Sequence, residues 1–159
     1  MNTIFPLNKI YNQKRLSEFK TLFGGLSIPE ISTLEGVYHG VFIGPGWLRQ
    51  GAAPSLAFAG MGGWYGKDLN SDGTGINILH RKGIYLDRFP MQIVNRISLI
   101  DGKMGVTVTY KKDCPLPWTY VIDELRQIDN VTLLGMTIVN VRLLNKLAFP
   151  FLLFKTNDI

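Results

Sequence analysis

Met104-Gly105-Val106-Thr107-Val108-Thr109-Tyr110 is a run in which methionine, two valines and a tyrosine alternate with glycine and two threonines. A period of two sends alternate side chains to opposite faces of an extended strand, and β-branched and aromatic residues suit a half-buried pleated surface. Ile93 to Ile100 precedes the run, with Asp101-Gly102 between them as a tight hairpin turn. Asp129-Asn130 sits in the same way between Trp118 to Gln127 and Val131 to Val139. Phe149 to Lys155 reads as a last strand, with Pro150 at its start or where no ladder hydrogen bond is needed. Seven or eight strands follow Leu34, without the strand–helix alternation of a parallel sheet. The pattern predicts a mainly β fold: an antiparallel barrel, or a strongly curved half-barrel, since closure removes exposed edges.

Ahead of the strands, Leu7, Ile10, Tyr11, Leu16, Phe19, Leu22 and Phe23 fall at the spacing of one amphipathic helix, which Gly24-Gly25 would end. Ser27-Ile28-Pro29-Glu30 has capping-box form and predicts a further short helical turn. The chain thus divides into an N-terminal helical leader, residues 1–33, and a single antiparallel barrel domain, residues 34–159. The Gly-, Pro- and Ala-rich segment from Gly44 to Gly62 predicts a long loop or short helix over one mouth of the barrel.

A single cysteine, Cys114, cannot form an internal disulfide, so nothing points to an oxidising compartment. Met1 to Arg15 contains no apolar run of signal-peptide length. Val131 to Phe154 is interrupted by Asn140, Arg142, Asn145, Lys146 and Pro150, whereas a membrane span needs roughly 20 mostly apolar residues. The expectation is a cytoplasmic protein with no membrane span. Its net charge is +5, but the basic residues come as scattered pairs (Lys14-Arg15, Arg81-Lys82, Lys111-Lys112). That reads as a dispersed solvated surface and predicts no nucleic-acid partner.

Three aromatic–glycine signatures follow one another: Gly36-Val37-Tyr38-His39-Gly40, Gly63-Trp64-Tyr65-Gly66-Lys67, and Tyr120 to Arg126 followed by Leu134-Gly135-Met136. Flanking glycines let a bulky ring lie close against neighbouring backbone. The set resembles the GXWXG/DUF4334 domain family, small bacterial proteins without an established activity. Gly36-x-Tyr38-x-Gly40 stands where the family has Gly-x-Trp-x-Gly, and Gly63, Trp64, Gly66 and Lys67 match its second element unchanged. Ile122-Asp123 with Arg126, Leu134-Gly135-Met136 and Pro150 to Leu153 extend the likeness over about Leu34 to Lys155. The resemblance implies a lipocalin-like barrel, an architecture that often holds an apolar small molecule.

On that reading Tyr38, Trp64, Lys67, Tyr110, Trp118, Asp123, Arg126 and Met136 are the candidate ligand-binding residues, and the partner is a small apolar or amphipathic molecule. An acidic group on it would meet Lys67 or Arg126. Asp123 and Glu124 lie on opposite faces of one strand, so either face brings a carboxylate inside, where it needs a partner such as Arg126, Lys67 or Arg96. An alternative is an isomerase, cyclase or hydrolase with Asp123 or Glu124 as acid or base and Tyr38, Tyr110 or Tyr120 as hydrogen-bond donor. A third is an interaction module that docks through Leu7 to Phe23.

No cofactor is expected. Asp68-x-Asn70-x-Asp72-Gly73 matches the opening of a calcium loop, but its closing glutamate position is Leu79 and such runs are ordinary turn formers. His39 and His80 each alternate with apolar residues and could face an interior, where one could ligate haem. Two lone histidines make no zinc site. Cys114 lacks any surrounding nucleophile signature.

Overall fold

Each β-rich run pairs with the next in sequence, and the last returns to the first. The strands are β1 (Gly36–Phe42), β2 (Trp64–Leu69), β3 (Thr74–Arg81), β4 (Ile84–Ile97), β5 (Met104–Tyr110), β6 (Val121–Asp129), β7 (Thr132–Val139) and β8 (Phe149–Thr156). They form one closed barrel in sequence order, every pair antiparallel, with β1 sealed against β8 from Val37↔Thr156 to Phe42↔Phe151. The computed structural model describes residues 4–157; residues 1–3 of the predicted leader and 158–159 of the predicted barrel segment lie outside the described residues. No helix among the described residues is long and apolar enough to cross a membrane.

The leader forms two helices, not one: α1 (Ile4–Tyr11) and α2 (Leu16–Gly25). The break falls at Arg15, whose backbone N–H donates to the Glu18 carboxylate at 2.7 Å and so caps a fresh helix start. Phe19 and Phe23 of α2 are fully buried against Leu134, Met136, Ile138 and Leu152 on the outer face of the barrel. Ser27 does not cap the next turn. It bridges β6 through Gln127, and the short turn Ile31–Thr33 starts from Glu30. The Asp101-Gly102 hairpin is also wider than two residues: Ser98 N–H closes the loop on the Lys103 carbonyl, and Gly102 takes a φ of +71°.

Two apolar cores result. One fills the lower barrel with Tyr38, Leu69, Ile93, Val106, Val108, Leu125 and Leu153 and continues upward to Met61, Trp118 and Phe151; the other lies between barrel and leader. The Gly44 to Gly62 segment forms α3 (Gly46–Leu56) and a wide turn, Ala57–Met61, at the upper end.

Candidate functional site

The upper half of the barrel is hollow. A cavity of about 440 Å³ opens beneath α3, with Phe42, Leu56, Met61, Trp64, Trp118 and Phe151 among its walls and Lys67, Tyr110, Asp123 and Thr137 at its floor. Trp118 Nε1–H donates to the Ala59 carbonyl at 2.7 Å, which ties the wide turn after α3 to the start of β6. Two inward glycines seat the rings of the wall. A Cβ on Gly40 would stand 2.2 Å from the Trp64 ring, and one on Gly135 would stand 2.1 Å from the Phe151 ring. The two rings then meet edge to face at 5.8 Å.

Trp64 and Lys67 are three residues apart, which in a regular strand would place them on opposite faces. The β2–β3 register shifts between Trp64 and Gly66, and this bulge turns both side chains inward. Lys67 pairs across with Asn77 of β3, and Asp123 of β6 pairs across with Thr137 of β7. The floor is therefore assembled from cross-strand neighbours, with Tyr110 of β5 between the two pairs.

The Lys67 ammonium has three donors and three partners: Asp123 Oδ2 at 2.9 Å, Asn77 Oδ1 at 3.0 Å and the Tyr110 hydroxyl at 2.9 Å. Tyr110 in turn donates to Asp123 Oδ2 at 3.3 Å, and Thr137 Oγ1 donates to Asp123 Oδ1 at 2.7 Å. Asn77 completes the belt: its Oδ1 also accepts Trp64 Nε1–H at 3.2 Å, and its Nδ2 reaches the Tyr110 hydroxyl and the Phe89 carbonyl. Phe89 has a φ of +51°, an outlier for a bulky residue, and its ring stacks on Trp118 at 5.5 Å. Lys67 and Asp123 are 1% and 3% exposed, so the ion pair is a buried one.

Burial disfavours the Lys67 ammonium, but the Asp123 charge and the Tyr110 hydroxyl together outweigh it and hold the lysine above its ordinary range. Burial and then the Asp123 charge push the Tyr110 hydroxyl up to about 12, against the pull of Lys67 and Asn77. Lys67 is thus a charged donor and Tyr110 a neutral one at neutral pH. With Thr137 on Oδ1 and two donors on Oδ2, Asp123 Oδ1 keeps acceptor capacity at a residue that lines the cavity.

Of the residues read from sequence, Trp64, Lys67, Tyr110, Trp118 and Asp123 come together here. Tyr38 faces inward but lies in the packed lower core and lines a separate cavity of about 340 Å³ at that end. Arg126 and Met136 are on the outer face, because the inward set of β6 is Val121, Asp123 and Leu125. Arg126 lies over the Phe23 ring at 4.3 Å and pairs with Asp101 at 3.2 Å, so it is no partner of Asp123. Glu124 is outside as well, accepting from the Ser98 hydroxyl and from Leu99 N–H at 2.6 Å. Its carboxyl is raised by burial, against those hydrogen bonds. Tyr120 is half exposed, at the rim. The residues missed are Asn77 and Thr137. Their one signal was a polar side chain at an inward position of an otherwise apolar alternation.

His39 and His80 do not face the barrel interior. They sit outside in a row of rings, His39 on Tyr65 at 4.6 Å, Tyr65 on Tyr85 at 5.2 Å and Tyr85 on His80 at 4.5 Å. Asp68 lies within β2, while Asp72 caps the β2–β3 turn by accepting from Thr74 N–H and Oγ1. Asn70 bonds the same threonine through Nδ2. Burial, then the nearby Asp113, pushes the Cys114 thiol up, away from the thiolate that a nucleophile requires.

No family model matches the chain, and neither does any curated protein. A crystal structure of a protein from Thermomonospora curvata is similar in fold, with a TM-score of 0.71 and 14% identity over 94% of this chain and 93% of that one. The likeness spans leader and barrel alike, and it establishes the architecture: a closed, eight-stranded antiparallel barrel preceded by short helices.

Proposed function

We propose that the barrel binds a small, mostly apolar molecule in its upper cavity, and that this molecule is neutral and carries one hydrogen-bond donor. The observation that carries the reading is an aromatic and aliphatic chamber above a polar floor whose cation is saturated. Because all three Lys67 donors are engaged within the protein, an acidic headgroup would find no free cation there. A hydroxyl or amide N–H would find Asp123 Oδ1. Apolar burial supplies most of the affinity, at roughly 25 cal/mol per Å² before ordering costs. Gly40, Trp64 and Lys67 serve the wall and floor, which supports kinship with the GXWXG/DUF4334 family as part of the same proposal. The lone cysteine suits a cytoplasmic setting.

The test is native mass spectrometry of protein purified from its own host, followed by a binding screen with matched alcohols, phenols and carboxylic acids. Retention of the alcohols or phenols with weaker binding of the acids is expected. Silence across the whole screen would remove the ligand-binding reading, and a preference for acids would remove the donor rule alone.

A second reading is favoured by one feature: Asp123 and Tyr110 converge within 3.3 Å at an open cavity. Asp123 Oδ1 would then act as the base of an isomerase, cyclase or hydrolase, with Tyr110 as hydrogen-bond donor beside it. Turnover of any molecule retained from the host, abolished in Asp123→Asn, would establish it.

A further inference from the structure

The up-and-down strand order sends every second connection to the same end of the barrel. Around the cavity mouth these connections are residues 43–63, 82–83, 111–120 and 140–148. They hold the basic residues Arg49, Lys82, Lys111, Lys112, Arg142 and Lys146 against a single carboxylate, Asp113. In the rest of the chain basic and acidic residues are equal in number, so these four connections carry the equivalent of the whole net charge of +5. The topology brings Lys111-Lys112 and Lys82 together with the single cations Arg49, Arg142 and Lys146, while Lys14-Arg15 stays in the leader.

The same connections project large apolar side chains into solvent. Phe58 is 98% exposed, Leu143 88%, Leu116 70% and Trp47 64%. Isolated exposed apolar residues are ordinary on any surface, but a set drawn from three connections around one opening, interleaved with cations, marks an interaction face.

We propose that the mouth of the barrel docks on an anionic lipid bilayer. Phe58, Leu116, Leu143 and Trp47 enter the boundary between headgroups and acyl chains, while the six basic side chains meet lipid phosphates. Tryptophan and phenylalanine suit that depth, and lysine and arginine stems reach back to the headgroups. Lipid fits better than nucleic acid because Leu116 and Leu143 have no ring on which a base could stack. In this orientation the apolar cavity opens toward the acyl layer. Charge and exposed apolar side chains at the mouth suffice for docking, whether or not the cavity holds a ligand.

The experiment is flotation of the full chain with vesicles of phosphatidylcholine alone and of phosphatidylcholine with phosphatidylserine. Binding is expected to the anionic vesicles, little to the neutral ones, with loss on raising salt. Phe58→Ser with Leu143→Ser should weaken it at least about tenfold, and Lys111→Glu with Lys112→Glu by about fivefold or more per charge. Both variants should melt with the parent protein, since these side chains pack against nothing that the fold needs. No flotation with anionic vesicles, or flotation unaffected by the serine variant, would overturn the proposal. Tight capture of a single-stranded oligonucleotide, lost in the charge variant while vesicle binding is absent, would reassign the face to nucleic acid.

Discussion

A buried lysine whose three protons are all directed at fixed acceptors is a structural centre as much as a chemical one. Removing one member leaves the other charged in a space sealed from water, at a cost of about 3–5 kcal/mol. Asp123→Leu and Lys67→Met should each lower stability by that order in urea unfolding. Lys67→Met combined with Asp123→Leu should lose clearly less than the sum of the two, because no unpaired charge then remains. Strict additivity would show that the two side chains do not act as a pair. Sequence gave the means to nominate both residues, since a carboxylate and a lysine beside aromatic–glycine motifs had to go somewhere. It could not pair them, because strand register decides that Asp123 faces Lys67 while Arg126, three residues on, faces α2.

At the scale of elements, α2 covers an outer barrel face that would otherwise be an exposed apolar sheet. Phe19 anchors it at 0% exposure, and Phe19→Ala should cost about 3–5 kcal/mol in a thermal or chemical melt, as for other buried aromatics. A near-parental melt would mean that the leader contributes little to the fold. The alternation in β5 and the apolar spacing of the leader were legible because each element's own periodicity reports its buried face. The inward turn of Trp64 with Lys67 was not, because a bulge breaks the period on which the reading depends. The one trace of the split at Arg15 was the five-residue step from Tyr11 to Leu16, where a continuous apolar stripe needs a residue at 14 or 15 and the chain has Lys14 and Arg15.

The whole molecule should report its polar floor through alkaline unfolding. Lys67 and Tyr110 both hold their protons more firmly when folded than in an unfolded chain. Their stabilisation is complete below the unfolded values, about 10.4 for lysine and about 10 for tyrosine, and it is lost as pH climbs through the folded ones, about 12 for Tyr110. The melting temperature should therefore hold through neutrality as far as these two groups are concerned and fall from about pH 10 upward. Tyr110→Phe should make that fall shallower, and an unchanged slope would show that the hydroxyl is not held as described. The closed barrel was foreseeable from strand count and turns; the gathering of charge at one end was not, because it belongs to the connectivity and to no stretch of residues.

A barrel packed below and hollow above behaves like a cup with a solid base. The lower layer buries most of the side chains that hold strand register, so the half-buried residues around the opening carry less of the fold. Half-buried Phe42, Leu56 and Val139 can be exchanged for larger or smaller neighbours with the foundation intact, which makes the shape of the guest an adjustable property of a fixed vessel.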